Sequence, residues 1–273
     1  MLEKISGVHA ILEALTAEDR KIEQIYFNQG TRKGRLKEIE DKASFLNIPV
    51  EFIAPSQLTK LCGHNHHQGV LAMTRPFQYV DVETLLSLSV ERTTPPFLLV
   101  IDQVQDPRNL GAIIRNAEGA GVDGIIMTKK RTSPLTEAVV QTSAGACEHL
   151  KICRVVNLVH NLEHLKTLGI WIIGADPHGS RTMYDIDGND ALAIVIGNEN
   201  RGLRQLVKKT CDYLVKIPMF GSIKSLNVAA SAALILYEIR RQRSFQKDPH
   251  RNQQSLFDPG APQEAEQSFE DRL

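Results

Sequence analysis

The stretch Phe97-Leu-Leu-Val-Ile-Asp-Gln-Val-Gln-Asp-Pro-Arg-Asn-Leu-Gly-Ala-Ile-Ile-Arg115 decides the fold class. Its first five residues are apolar without a break, the pattern of a strand buried on both faces of a parallel sheet. Asp106-Pro107 then makes a turn, and a helix is expected to begin at Asn109, which would place Arg115 in its second turn. The alternation continues downstream. Gly124–Met127, Ile170–Ile173, Leu192–Ile196 and Tyr213–Ile217 are further strand candidates, with helices expected near Thr136, Asn157, Leu203 and Leu226. Strand and helix in turn indicate an α/β fold, a parallel sheet covered by helices. The last helix, LNVAASAALILYEIRRQR from Leu226, is apolar almost all round for two turns and must be buried in the core or in a subunit interface.

Upstream, about 75 residues read as a smaller α/β unit. Ser6 is expected to cap a helix with Val8, Ile11, Leu12 and Leu15 on one face. Lys21–Phe27 has the character of a strand, and a second helix carries Leu36, Ile39, Ala43 and Leu46 until Asn47 and Pro49 stop it. Short strands are expected at Val50–Ile53 and Val70–Met73. The division expected is therefore 1–75 for the first unit, 76–96 for a connector, 97–245 for the second unit and 246–273 for a tail. The tail holds Pro249, Pro259 and Pro262 among polar residues and is expected to be disordered.

Composition narrows the function classes. Among 273 residues, 32 are Lys or Arg and 32 are Asp or Glu, so the formal net charge is zero. The tail takes 3 of the basic and 6 of the acidic residues, which leaves the rest mildly basic. Zero net charge does not exclude a nucleic-acid partner, because local patches decide that binding. The start, MLEKISGVHAILEAL, lacks a cationic head followed by an apolar run, so no signal peptide is expected. No run approaches the ~18 apolar residues of a membrane span. Cys62, Cys147, Cys153 and Cys211 form no CxxC pair, and a reducing, cytoplasmic setting is expected.

Two motifs mislead. Gly119-Ala-Gly-Val-Asp-Gly124 matches the dinucleotide fingerprint, but its glycines end a helix and precede a strand, the reverse of the order that phosphate binding requires. A helix cap and tight turn explain it, and with no Walker A sequence neither NAD nor ATP is supported. His64-Asn-His-His67 has no partner cluster to complete a zinc site, so a polar loop is expected, with RNA contact the next reading and no metal.

Three segments at strand ends carry the chemistry. The first is the opening stretch with Asn109 and Arg115. The second is Gly197-Asn-Glu-Asn-Arg-Gly202, with Glu199 between glycines that let backbone approach a ligand. The third is Ile217-Pro-Met-Phe-Gly-Ser-Ile-Lys-Ser-Leu-Asn-Val-Ala-Ala230. Ligands of open α/β sheets bind beyond the carboxyl ends of strands, so polar groups converging there are site candidates. Singly, Asn109, Ser225 and Asn227 are ordinary helix caps; with Arg115 and Glu199 they make a set.

In order and spacing, Asn109–Arg115, Gly197–Gly202 and Ser225–Ala230 resemble motifs 1, 2 and 3 of the SpoU (TrmH-like) RNA ribose 2′-O-methyltransferases of the SPOUT superfamily. Gly7-Val-His-Ala10 and His67-Gln-Gly-Val70 are similar to the L30e-like substrate-binding domain of that subfamily. The resemblance implies a trefoil-knotted catalytic domain and a homodimer. It implies S-adenosylmethionine held largely by backbone at Gly197, Ile217 and Leu226. It also implies roles for side chains: Arg115 on the target phosphate and the developing alkoxide, Glu199 and Asn227 orienting Arg115 and the ribose, Asn109 and Ser225 shaping the pocket. Arg115 is unsuited to be a free base, since guanidinium stays protonated. Length and domain order resemble the branch that methylates a guanosine in the peptidyl-transferase region of 23S rRNA. A tRNA or another rRNA position is the alternative within the family, and a non-catalytic RNA-binding ribosome-assembly factor the alternative outside it. Lys129-Lys-Arg131 and the group Arg32, Lys33, Arg35 and Lys37 are the candidate phosphate-binding surfaces.

Overall fold

Short half-buried strands build the front of the chain, and continuous apolar ones build the rest. A computed structural model describes residues 2–17, 19–30, 34–90, 94–223 and 225–245. The first unit runs β1 (Glu3–Ser6), α1 (Val8–Ala17), β2 (Ile22–Asn28), α2 (Arg35–Phe45), β3 (Val50–Ile53), α3 (Pro55–Cys62) and β4 (Val70–Thr74). Its four-stranded sheet has the order β1-β4-β2-β3, with β4 antiparallel to both neighbours and β2 parallel to β3.

Two local expectations need correction. Ser6 does not cap a helix: it ends β1 and is buried. Gly7 makes the turn with a φ of 93°, and the Val8 N–H donates to Gln68 Oε1 at 2.8 Å. The expected connector 76–96 carries structure of its own. Val80 donates its N–H to the Ile152 carbonyl at 3.1 Å, and α4 (Val82–Val90) lies within the segment. The helix after the opening strand begins at Pro107, not Asn109, because the Asp106 side chain accepts from the Arg108 N–H and proline suits a first helical position. Arg115 is therefore in its third turn.

The second unit runs β5 (Phe97–Ile101), α5 (Pro107–Gly119), β6 (Gly124–Thr128), α6 (Glu137–Thr142), β7 (Lys151–Val155), α7 (Leu158–Thr167), β8 (Trp171–Ala175), β9 (Arg181–Thr182), β10 (Leu192–Ile196), α8 (Gln205–Thr210), β11 (Tyr213–Lys216) and α9 (Val228–Phe245). A seven-stranded parallel sheet results, in the order β7-β6-β5-β10-β8-β11-β9. All residues of β5, β6 and β10 are buried, as strands covered on both faces require. Because β10 lies directly beside β5, the loops leaving their carboxyl ends are neighbours. The helix α9 returns from β11 to pack on α5 through Ala232, Ile235, Leu236 and Ile239, all buried, while Leu234 and Tyr237 on its other side are exposed. Among the described residues no helix is long and apolar enough to cross a membrane.

The two units meet along α1, which packs on α6 and on the 3-10 turn Ala146–His149. At that seam Arg20 bonds Glu148 at 3.0 Å and also meets Glu3, with the Arg20 and Glu148 side chains 4% and 1% exposed. Gly145, at a φ of +87°, leaves no room for a methyl group, which would fall 2.6 Å from Glu13 Cβ.

Candidate active site at the carboxyl ends of the strands

Three loops bring the site together. The loop after β5 is tied down by Asp102, which is fully buried and accepts from Arg204 N at 3.1 Å and Arg204 Nε at 2.7 Å. That bond fastens the end of β5 to the exit of the loop after β10. This second loop is a tight turn: Asn198 and Gly202 exchange both backbone hydrogen bonds at 3.0 and 2.9 Å, and Gly202 has a φ of +64°. The turn closes so tightly over Gly197 that a Cβ there would sit 2.3 Å from the Gly202 carbonyl carbon. Only glycine serves there, because the backbone of Gly202 and Leu203 fills the space a side chain would need. The third loop, from Ile217 into α9, ends at Asn227, whose Oδ1 accepts from Ala229 N at 2.8 Å and so caps the helix.

Across these loops runs a chain of side-chain hydrogen bonds. Asn227 Nδ2 donates to Asn109 Oδ1 at 3.0 Å, and Asn109 Nδ2 donates to Glu199 Oε1 at 3.2 Å. Glu199 Oε1 also accepts from the Asp106 N–H at 3.3 Å, and Glu199 Oε2 accepts from Asn198 Nδ2 at 3.1 Å. Both carboxylate oxygens are thus engaged, so Glu199 organises its neighbours. Asn109 is the link between Glu199 and Asn227, and neither of them bonds the Arg115 side chain. Arg115 and Ser225 are exposed, and neither side chain makes a hydrogen bond or ion pair among the described residues. Arg115 stands one turn before Gly119, over which Tyr237 packs so closely that a Cβ at Gly119 would lie 2.8 Å from its hydroxyl. It therefore borders the exposed side of α9. Ile217 is partly buried against the core, and Leu226 is 41% exposed.

Sequence reading missed two organisers. Asn198 accepts from Asn200 N and Arg201 N at 3.0 and 3.1 Å while donating to the Gln103 carbonyl at 2.8 Å. An asparagine directly after a strand and a glycine is the available signal, since its side chain mimics a turn. Asp102 was legible as an acid ending an all-apolar run, which demands a buried partner. The Asp106 carboxyl is held below its ordinary value, chiefly by the Arg108 N–H it caps.

The misleading motifs resolve. Gly119 ends α5 and Gly121 turns at a φ of +68° before β6, with the Arg240 Nη2 donating to the Gly121 carbonyl at 2.8 Å. His64 Nε2 lies 3.1 Å from Glu137, and Thr59 bonds His67 at 3.0 Å. Among the described residues no group of three or more His, Cys, Asp or Glu converges as metal ligands would. Of the basic groups, Lys37 is paired with Asp41 at 2.9 Å and Arg35 contacts His9, while Arg32 and Lys33 lie outside the described residues. Lys129, Lys130 and Arg131 are exposed beyond β6. The tail 246–273 also lies outside the described residues.

Known proteins share this arrangement. A model of the SpoU rRNA methylase family matches residues 96–237, and one for the RNA 2′-O ribose methyltransferase substrate-binding region matches residues 4–80. A putative TrmH family tRNA/rRNA methyltransferase, YacO of Bacillus subtilis (strain 168), is 36% identical over 240 residues, 88% of this chain and 96% of that protein. The SpoU methyltransferase AviRb of Streptomyces viridochromogenes, solved in complex with AdoMet, superposes with a TM-score of 0.75 at 25% identity, over 89% of this chain and 90% of that one. The crystal structure of an RNA 2′-O ribose methyltransferase gives a TM-score of 0.73 at 26% identity, over 88% of each chain. With one family model spanning more than half of its length and a relative this similar along most of it, the chain belongs to the SpoU rRNA methylase family.

Proposed function

We propose that this protein transfers a methyl group from S-adenosylmethionine to the ribose 2′-hydroxyl of a guanosine in the peptidyl-transferase region of 23S rRNA, as a cytoplasmic homodimer of the RlmB type. The observation that carries the reading is the hydrogen-bonded chain Asn227–Asn109–Glu199, strung across three strand-end loops, with an unpaired guanidinium at Arg115 on the same helix as Asn109. Residues 1–75 are read as the L30e-like RNA-binding unit, 76–96 as its connector, 97–245 as the catalytic unit and 246–273 as a tail.

The residues present fit the cofactor: Met219, Ile223 and Leu226 offer exposed apolar surface for an adenosine, and the backbone of Gly197, Ile217 and Leu226 would hold it. When bound, the sulfonium supplies an already activated methyl group. The chain's own task is alignment and charge. Glu199 fixes the Asn109 amide, and Asn227 holds it from the other side, so the pocket floor is preorganised before RNA arrives. Arg115 holds a phosphate of the target strand and stabilises the alkoxide as the 2′-proton leaves toward that phosphate. Ser225 and Asn109 border the ribose. A trefoil knot is in keeping with α9 returning to α5 after the loop from Ile217.

The homodimer reading rests on apolar surface. Phe220 is 97% exposed, and Leu234 and Tyr237 on the outer side of α9 are 42% and 51% exposed. A second copy seated there would border Arg115, so the guanidinium would stand at the subunit boundary.

The test is methyl transfer from labelled S-adenosylmethionine to unmodified 23S rRNA and to bulk tRNA, followed by nucleoside analysis. 2′-O-methylguanosine in 23S rRNA alone supports the proposal. Transfer to tRNA, the other substrate in the name of the Bacillus relative, keeps the chemistry and overturns the substrate. Cofactor binding without transfer to either RNA points to the assembly-factor reading.

A further inference from the structure

Beside the Asn109–Glu199 chain lies a separate open cleft of about 350 Å³, lined by Gln103, Gln105, Arg131, Asn198, Asn200 and Arg201. Three loops build it, those following β5, β6 and β10. Asn198 forms the wall shared with the site: one amide group donates both to the Gln103 carbonyl, at 2.8 Å, and to Glu199, at 3.1 Å. The rest of the lining is unspent. Among the described residues, the side chains of Gln103, Gln105, Asn200, Arg131 and Arg201 make no hydrogen bond or ion pair, and Arg131 and Arg201 are exposed. Apart from Arg115 at the site itself, the other exposed guanidiniums of the second unit are engaged: Arg108 with Asp106, Arg204 with Asp102, Arg241 with Glu238 and Arg181 over the Tyr213 ring. Gln103 and Arg131 also hold left-handed backbone, with φ of 67° and 62°. Non-glycine residues rarely adopt it, and such strain gathers where loops are shaped for a ligand.

The lining selects a chemistry. Two guanidiniums without carboxylates to answer them call for an anion, and their planar forks suit phosphate oxygens. Primary amides both donate and accept, as the edges of nucleobases do. The volume is at the small end of the ~300–1,000 Å³ usual for ligand pockets, room for one nucleotide. Resting on the reading that RNA is the substrate, we propose that this cleft is a nucleotide subsite flanking the target residue. Arg131 and Arg201 grip its phosphate, and Gln103, Gln105 and Asn200 face its base. The subsite sets the register of the strand, so that the target ribose falls against Asn109 while its neighbour is held on the far side of Asn198.

Equilibrium binding of unmodified 23S rRNA over a series of salt concentrations tests this, with the native protein, Arg131→Gln, Arg201→Gln and the double variant. Each single change should weaken binding by about 5- to 10-fold near 0.1 M salt and lower the salt slope by about 1, one phosphate contact each. Gln105→Leu should weaken binding without changing the slope. Melting temperature and calorimetric affinity for S-adenosylmethionine should match the native protein in all of them. Native affinity and native slope in the double variant overturn the subsite. Binding of free guanosine monophosphate in the cleft, with RNA affinity untouched by the substitutions, overturns it as well. The two readings fail separately: RNA binding that depends on both arginines without methyl transfer to any RNA leaves the subsite standing and removes the enzyme.

Discussion

The seam between the two units and the rim of the catalytic sheet are built from the same residue types to opposite ends. At the seam, Arg20 is buried and spent on Glu148 and Glu3, glycine at 145 lets α1 press against the turn, and peripheral pairs such as Lys151–Asp19 at 2.5 Å close the edges. At the rim, Arg115, Arg131 and Arg201 are exposed without partners among the described residues, and Phe220 stands free. A guanidinium that is satisfied holds a structure together; one that is not is available to a substrate. The seam fixes the first unit to the second, and the rim carries the groups proposed to meet RNA, cofactor and a second copy.

The sharpest way to break that contrast is at the rim. Arg115→Ala removes no hydrogen bond or ion pair within the described residues, so the fold should keep its stability to within about 0.5 kcal/mol. Methyl transfer should fall by about 10³-fold, near the upper range for loss of one group that stabilises transition-state charge, with cofactor affinity retained. Steady-state kinetics alongside calorimetry checks it, and undiminished turnover would remove Arg115 from the site.

The seam should respond the other way. Arg20→Ala strands the Glu148 carboxylate in a buried place, and breaking such a pair costs about 3–5 kcal/mol. The low end is expected, because burial already pushes the Glu148 carboxyl up despite the opposing pull of Arg20, so it takes a proton readily. Denaturant unfolding reads the loss. A smaller effect follows from the same carboxyl. Its folded pKa lies above the ordinary 4.5, so the native state holds a proton that the unfolded chain has released. Stability from this group is present below pH 4.5 and is lost as pH rises through the raised value. Glu148→Gln should lack that decline. Identical stability-against-pH slopes in the native protein and Glu148→Gln would show that Glu148 ionises as freely in the fold as in the open chain.

How much of this was legible follows the physics of each element. β5, β6 and β10 could be read because an unbroken apolar run leaves one sensible burial. β7 could not: Lys151 and Arg154 interrupt Lys151–Val155, and the strand forms because β6 offers it an edge. α3 has only Leu58 and Cys62 buried along eight residues, too little periodicity to recognise. Among the site candidates, Asn109, Glu199 and Asn227 were found from their places after strands, yet the order in which they bond was not. Hydrogen-bond partners ninety or more residues apart are set by the sheet order, which puts β10 beside β5. The start of α5 was misplaced because Asp106-Pro107 reads equally as a turn and as a cap followed by a first helical residue.

That cap supplies the smallest test, at the point where structure and site touch. Asp106 holds the first turn of α5 through its carboxylate and steadies Glu199 through its backbone N–H. Asp106→Ala removes the first function and spares the second. It should cost about 1 kcal/mol at neutral pH, the usual worth of an N-cap, and change methyl transfer far less than Arg115→Ala does. The sign of the pH dependence is fixed by the carboxyl's depressed pKa. Its contribution is present above the ordinary 3.8 and is lost as pH falls through the lower folded value, so native and variant stabilities should converge in acid. Asp106→Asn keeps a capping oxygen that does not titrate, and its stability should stay near that of the native protein at neutral pH. If instead Asp106→Asn matched Asp106→Ala, the charge beside the helix N-terminus would be what Asp106 provides, and the hydrogen bond to Arg108 would be incidental.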